Sequence, residues 1–260
     1  MFYIFRFTIR LLFISSIFYS FSHAIEIKNS KSAVDIAGKQ RMYTQRMLKD
    51  YAMIGMKNNF GNSTEDLKVI MSEFEEHLKS LADYSKNKEI KKSADLVKEL
   101  WLPIKKNLNN TPVKEEVKAL QEKLEKLLKA SDTLTHLFAD ESGKAVGKIV
   151  DMSGRQRMLS QRMASLYMLK VWGVDDKKFK EKMDDTMKLF KESLKRLQKS
   201  EINDEKINKL LLKVEKSFMF FEIMNKSNNI FIPTLIYKKS DDILKNMDLI
   251  TKYYVLVQNN

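Results

Sequence analysis

The chain has 260 residues, of which 31% are charged and 43% hydrophobic, with 7 Gly, 3 Pro and no Cys. So few Gly and Pro argue against a β-protein, whose strands need frequent turns, and the many aliphatic and aromatic residues argue against a disordered chain. The absence of Cys excludes disulfides, cysteine-ligated metal sites, thiol nucleophiles and a lipoprotein anchor. The composition therefore predicts an all-α protein built from amphipathic helices.

Residues 1–24 have the pattern of a signal peptide. Arg6 and Arg10 form a basic front, a short apolar run follows them, and Ser22 and Ala24 place small side chains at the two positions that a signal peptidase reads. The apolar run is about half of the ~20 residues that a spanning helix needs, and an uncleaved membrane anchor is the alternative. We predict an exported, periplasmic protein. Its net charge of +13 comes from Lys mixed with Glu and Asp, which is typical of solvated helix faces and not of a nucleic-acid site.

The rest of the chain contains an internal repeat. The stretch AGKQRMYTQRM at 37–47 recurs as SGRQRMLSQRM at 153–163. Weaker similarities follow further along: Val97 and Trp101 with Val214 and Phe218, and residues 129–132 with 238–241. The sequence therefore predicts one unit of about 115 residues used twice, with domains at 25–148 and 149–260.

Each unit is predicted to form four helices. Helix one covers about 31–57, a capping box at Ser63 opens helix two, Pro103 is expected to kink or break helix three, and Thr111 and Pro112 open helix four. The corresponding starts in the second unit are Asp175 or Asp176 for helix two, Asn203 for helix three and Pro233 for helix four. We predict two tandem up-down four-helix bundles.

The junction between the two bundles has few helix breakers. Between Pro112 and Gly173 the breakers are Gly143, Gly147 and Gly154. Helix four of the first unit can therefore continue into helix one of the second, which would join the bundles by a long continuous central helix.

Arg41 and Arg157 lie at equivalent positions on the core-facing side of helix one, where a bundle normally has an aliphatic residue. Small or hydroxyl residues surround them: Ala37, Gly38 and Thr44 in the first unit, and Ser153, Gly154 and Ser160 in the second. The stretches 36–49 and 152–174 contain no carboxylate. Because a buried Arg without a partner is costly, each guanidinium is predicted to find a partner elsewhere.

Two kinds of partner are open. A small oxyanion would suit the planar donor fork of Arg, with a hydroxyl donor from Thr44 or Ser160, and Arg41 and Arg157 would meet around it if helix one of each unit faces the other. The alternative is an internal salt bridge to a carboxylate of another helix. The candidate carboxylates are Glu73, Glu76 and Asp95.

The pattern Gly-x-x-Arg-Met-x-(Ser/Thr)-x-Arg, which begins at Gly38 and again at Gly154, resembles the PilJ-type sensor domain. This is the N-terminal domain of type IV pili methyl-accepting chemotaxis transducers, and it is similar to the periplasmic sensor domain of nitrate/nitrite sensor kinases. The resemblance implies a four-helix bundle in which the motif helices of two subunits face each other and paired arginines bind nitrate. By match of the motif, those arginines are Arg41 and Arg157.

The resemblance also implies partners. Nitrate or nitrite is the leading ligand, and a membrane receptor or sensor kinase would respond to the occupied state. Because the unit occurs twice, the facing helices can belong to one chain, as an intramolecular pseudo-dimer in a monomer, or to two chains in a homodimer.

Other repeated polar residues are predicted to support this site. Arg46 and Arg162 fall on a different helix face, where they form salt bridges or support the first pair, and Gln45 and Gln161 supply polar contacts. Gln40 and Gln156 are repeated in the same way.

The sequence contains no phosphate-binding loop, nucleophile motif or acid/base pair, and His77 and His136 are isolated. We therefore predict no catalytic residue, metal or cofactor, and a protein that is not an enzyme. The leading hypothesis is an oxyanion-binding sensory protein. The alternatives are a helical adaptor or structural protein whose motif arginines are internal salt bridges, and a protein that binds anionic membrane surfaces or cell-wall polymers through its excess of Lys.

Overall fold

A computed structural model describes residues 25–174, 176–227 and 231–256, with the backbone alone for 144–146. These residues form eight α-helices and two short 3₁₀ turns, with no strand among them. The helices are α1 Ser30–Gly55, α2 Ser63–Tyr84, α3 Lys88–Leu108, α4 Val117–Glu141, α5 Lys144–Val171, α6 Lys177–Gln198, α7 Glu205–Lys226 and α8 Pro233–Leu256. The predicted all-α fold is confirmed, and the predicted signal peptide lies outside the described residues.

The two repeats pack face to face through their first helices. α1 packs against α2 and α4 of its own bundle and against α5, and α5 packs against α6 and α8 of the second bundle. Two contacts show that α1 and α5 run parallel. Gln45 Oε1 on α1 accepts a hydrogen bond from Ser165 Oγ on α5, and further along both helices Gly55 lies against Trp172. The structure is therefore an intramolecular pseudo-dimer of two four-helix bundles.

The prediction of a long continuous central helix is wrong. α4 ends at Glu141, Gly143 adopts a φ of 93°, and α5 begins at Lys144. A positive φ favours Gly because it has no Cβ. The contact between Asp132 and Arg155 shows that α4 and α5 lie antiparallel on either side of this turn. The chain folds back here because α5 can then bury its motif face against α1. The turn falls a few residues before the predicted domain boundary at 148.

The predicted start of helix four in the first repeat is also wrong. α4 begins at Val117, after a 3₁₀ turn, and not at Thr111 or Pro112. Val113 is extended, and its backbone N–H donates to Tyr51 Oη at 3.0 Å, which holds this segment outside the helix. The other starts agree more closely: α2 begins at Ser63, Asp176 caps α6, α7 begins two residues after Asn203, and α8 begins at Pro233.

The sequence predicted a kink or break of helix three at Pro103, but the helix does not break there. α3 continues through Pro103 to Leu108. The ring of Pro103 lies on the exposed side of the helix, whereas Trp101 and Ile104 are buried in the bundle. Packing of these two neighbours holds the helix together across the missing backbone hydrogen bond.

α1 and α5 are surrounded by other helices, so polar side chains on them are removed from water. Their most deeply buried polar residues are Gln40, Arg41, Thr44, Gln45, Lys49 and Asp50 on α1, and Ser153, Gln156, Arg157, Ser160, Gln161 and Ser165 on α5. Every such group needs a partner inside the protein, because an unpaired buried polar group is costly. Of the helices described, none has the length and hydropathy needed to cross a bilayer.

Candidate functional site

Arg41 and Arg157 meet at the interface between the two repeats. Both side chains are completely buried. A Cβ added at Gly38 would lie 3.3 Å from Arg41 Nη2 and 3.5 Å from Arg157 Nη2, and one added at Gly154 would lie 3.1 Å from Arg157 Nη2 and 3.6 Å from Arg41 Nη2. The two guanidinium groups therefore approach each other beside a pair of glycines. A larger residue at either glycine would crowd them.

Each guanidinium is held by two carboxylates, one from its own repeat and one from the other. Arg41 Nη1 lies 2.6 Å from Asp132 Oδ1 on α4, and its Nη2 lies 2.7 Å from Asp151 Oδ1 on α5. Arg41 Nη2 also donates to the backbone carbonyl of Asp151 at 3.4 Å. Both terminal nitrogens of Arg41 are thus engaged, by carboxylates of two different helices, and this restricts the orientation of the guanidinium.

Arg157 has the same arrangement with the roles of the repeats exchanged. Its Nη1 lies 2.9 Å from Asp248 Oδ1 on α8, and its Nη2 lies 2.7 Å from Asp35 Oδ1 on α1. The pairs Arg41–Asp132 and Arg157–Asp248 are each separated by 91 residues in sequence. The site therefore follows the pseudo-symmetry of the repeat, and the carboxylates of Asp35 and Asp151 cross between the two bundles.

A second ring of cations balances the remaining negative charge. Lys39 Nζ lies 3.9 Å from Asp35 and 4.0 Å from Asp248, and Arg155 Nη2 lies 3.3 Å from Asp132. Together with the two motif arginines and Lys252, these make five cations around four carboxylates. His136 stands next to Asp132 and Asp151 at 3.6 Å, and Lys252 stands next to Asp248 at 2.9 Å.

The two motif stretches contain no carboxylate, but acids that lie outside them reach the arginines. Glu73, Glu76 and Asp95 were the wrong candidates, because the carboxylates come from α4, α8 and the residues just before each motif. Asp35 and Asp151 recur at the same place in both repeats, and this is the sequence signal that could have identified them.

One donor on each arginine remains without a partner. Within the described part of the chain, Arg41 Nε and Arg157 Nε are buried and make no hydrogen bond. The hydroxyl groups predicted to assist are used elsewhere, since Thr44 Oγ1 donates to the carbonyl of Arg41 at 2.8 Å and Ser160 Oγ donates to that of Arg157 at 2.9 Å.

The supporting residues lie around this centre and tie helices together. Gln45 Oε1 accepts a hydrogen bond from Ser165 Oγ on α5, and Gln161 Nε2 donates to the backbone carbonyl of Ser240 on α8. Gln40 and Gln156 donate to the carbonyls of Phe74 and Phe190, in each case 34 residues away. The second motif arginines point away from the site and pair as follows: Arg46 with Asp66 on α2, and Arg162 with Glu125 on α4.

The cations of the site together lower the pKa of two of its carboxylates. Burial acts to raise the pKa of Asp132 and of Asp248, but the combined effect of the nearby cations outweighs it; these are Arg41, Arg155 and His136 for Asp132, and Arg157, Lys39 and Lys252 for Asp248. The pKa of both carboxyls therefore lies below the ordinary value of 3.8. Both groups are ionised at neutral pH and remain available to the arginines.

Acid is expected to weaken the fold through these two carboxylates. A group whose folded pKa is lowered contributes stability that is complete above its unfolded pKa and is lost as the pH falls through the folded pKa. The free energy of unfolding in urea should therefore fall between about pH 5 and about pH 2. The double variant Asp132→Asn/Asp248→Asn should show a smaller fall over this range. An unchanged slope in that variant would contradict the assignment.

A family model described as "Type IV pili methyl-accepting chemotaxis transducer N-term" matches residues 26–136 and 139–215. Each matched segment contains one motif arginine, Arg41 in the first and Arg157 in the second, and together the segments cover well over half of the chain. No curated protein and no solved structure matches it. The two facing four-helix bundles and the repeated motif agree with this match, and the chain thus belongs to the PilJ family of sensory domains found in chemotaxis transducers.

Proposed function

We propose that this protein is a non-catalytic sensor of a small oxyanion, with nitrate or nitrite as the leading candidate, and that Arg41 and Arg157 bind it. The observation that carries the proposal is the convergence of two buried guanidinium groups beside Gly38 and Gly154. Two like charges at close range repel each other, and a planar oxyanion between their Nη2 donors would offset that repulsion and match the geometry of the guanidinium fork.

The carboxylates that cross between the repeats suggest how binding would be transmitted. A planar oxyanion that takes the Nη2 donors would displace Asp35 and Asp151, the carboxylates that tie each arginine to the opposite repeat. Asp132 and Asp248 would stay on Nη1. Binding would thus loosen the ionic ties between α1 and α5 and alter how these two helices pack.

The remaining parts of the proposal concern the cellular setting. Residues 1–24 would direct export to the periplasm, where a membrane receptor or sensor kinase would recognise the altered packing of α1 and α5. The protein would act without a metal or cofactor. One chain would suffice, because the two repeats already face each other.

A second candidate function is favoured by a specific observation. Each guanidinium already has two carboxylate partners within 2.9 Å, so the arginines can be internal ties that need no ligand. The protein would then be a helical adaptor that binds a protein partner through its surface.

Thermal unfolding in a panel of anions separates the two functions. At constant ionic strength, nitrate or nitrite is expected to raise the Tm of the wild type, whereas sulfate, chloride and acetate are not. A ligand at about 100 times its Kd stabilises the fold by about 2.7 kcal/mol. Arg41→Lys and Arg157→Lys should abolish the rise, because Lys lacks the planar fork.

Two further variants sharpen this test. Arg46→Lys changes a motif arginine on another helix face and should keep the response. Asp151→Asn removes a carboxylate that competes for Arg41 Nη2 and should strengthen it. If the wild type and Asp151→Asn show no anion-specific rise, the oxyanion proposal fails and the adaptor function stands.

A further inference from the structure

A second buried charge cluster lies further along α1 and has no counterpart in the other repeat. Asp50 is completely buried, and neither of its carboxylate oxygens has a hydrogen-bond partner among the described residues. An ionised carboxylate in such a place would be very costly, whereas a protonated one is less so. The position of Asp50 therefore requires an explanation that the arginine site does not supply.

The cations near Asp50 are already paired with other acids. Lys49 is completely buried, and its Nζ lies 3.1 Å from Asp241 Oδ1 on α8 and 3.8 Å from the centre of the Tyr237 ring. Arg46 Nη2 lies 2.8 Å from Asp66 Oδ2 on α2.

Tyr237 links these pairs. Its Oη lies within hydrogen-bonding distance of Asp66 Oδ2, at 3.2 Å. The cluster thus contains two cations, two carboxylates that neutralise them, and Asp50 as a third acid. It joins α1 and α2 of the first repeat to α8 of the second.

Among its described side chains, the neighbouring helix α5 adds no charged group to this cluster. Its nearby contact with α1 is the neutral bond from Ser165 Oγ to Gln45, and its Arg162 is paired with Glu125 on α4. In the motif alignment, Ser165 and Leu166 stand where the first repeat has Lys49 and Asp50. The second repeat therefore forms the same helix with an uncharged pair, and the fold alone does not require a carboxylate here.

We propose that Asp50 is a proton-binding site, which keeps α8 packed against α1 and α2 while it holds a proton and weakens that packing when the proton leaves. With Asp50 protonated, the two cations and two carboxylates balance. When Asp50 ionises, a third negative charge competes with Asp241 for Lys49 and with Asp66 for Arg46. The ion pair between Lys49 and Asp241, which joins the two repeats at this point, is the first to be weakened.

The electrostatics of the cluster agree with this role. Burial raises the pKa of Asp50 to about 7, although Lys49 and Arg46 act to lower it. An acid whose folded pKa is raised contributes stability that is complete below its unfolded pKa and is lost as the pH rises towards the folded pKa. Stability is therefore expected to fall between about pH 4 and about pH 7, the opposite direction from the effect of Asp132 and Asp248.

The direct test is a pH titration of the aspartate carboxyl carbons by NMR on the purified protein, without added nitrate. The resonance that disappears in Asp50→Asn identifies Asp50, and its midpoint is expected near pH 7. Backbone amide exchange in the first half of α8, corrected for the intrinsic effect of pH, should become at least about tenfold faster as the pH rises from about 4 to this midpoint and should level off above it, a change of about 1.4 kcal/mol or more.

Matched variants separate proton binding from a general effect of pH. Asp50→Asn imitates the protonated acid and Asp50→Leu copies the second repeat, and both should remove the pH dependence of exchange in α8. Asp83→Asn, at an exposed aspartate of α2, should leave it unchanged. A midpoint for Asp50 below about pH 5, or exchange in α8 that does not become faster as the pH rises towards that midpoint, would overturn the proposal. The wild-type titration provides this result even if a variant fails to fold.

Discussion

Replacing Arg41 with Met is expected to lower the free energy of unfolding by about 3–5 kcal/mol. Arg41 is completely buried, and its removal leaves Asp132 and Asp151 facing a neutral side chain. Asp132 keeps Arg155 at 3.3 Å, so the cost comes mainly from Asp151, which loses its arginine partner, because Met fills much of the volume of the lost side chain. Urea unfolding at neutral pH measures the effect.

Two further variants test the same effect: the equivalent arginine of the second repeat serves as a replicate, and an exposed ion pair serves as the control. Arg157→Met should cost a similar amount, since Asp35 loses its arginine partner while Asp248 keeps Lys252. Lys209→Met removes an exposed ion pair with Glu205 and should change stability by no more than about 0.5 kcal/mol. A loss below about 1 kcal/mol in both arginine variants, typical of exposed pairs, would show that the buried network is not a main tie between the repeats.

Gly55→Ala is expected to destabilise the protein by about 1–2 kcal/mol. The added Cβ would lie 2.2 Å from Trp172 Cζ2, and the indole is also in edge contact with Tyr51. Overpacking of this kind costs about 1–3 kcal/mol, and the better helix propensity of Ala offsets up to about 1 kcal/mol of that. Thermal or urea unfolding of the variant measures the net effect.

A double-mutant cycle tests whether the clash with Trp172 is the cause. In a Trp172→Leu background, Gly55→Ala should be neutral or slightly stabilising, because the ring that it would meet is gone. The difference between the two backgrounds is the coupling energy. An equal cost in both backgrounds would mean that the close approach of Gly55 and Trp172 does not fix the spacing of α1 and α5.

Much of the fold could be predicted from the sequence because local signals and the repeat agree. The motif placed Arg41 and Arg157 on equivalent core-facing positions, and both are buried there. The correspondence of Trp101 with Phe218 also held, since Trp101 packs on Phe74 and Phe218 packs on Phe190.

The weaker similarity between residues 129–132 and 238–241 had the wrong register. In the structure, Asp132 corresponds to Asp248, because each binds the motif arginine of its own repeat. Asp241 instead pairs with Lys49. A shift of two helical turns still aligns buried positions of one repeat with buried positions of the other. The hydrophobic pattern therefore fits both registers and could not reveal the error.

The sequence by itself determined the helical fold, the repeat and the burial of two arginines, because helix propensity and periodicity are local properties of the chain. The tertiary structure decided what those arginines bind. Asp35 and Arg41 lie on the same helix but on different faces, so neither can pair with the other. Each finds its partner on α5 only because the chain turns back at Gly143 and packs the two motif helices in parallel. The direction of that turn and the register of α1 against α5 depend on contacts between residues far apart in sequence, which local patterns do not encode.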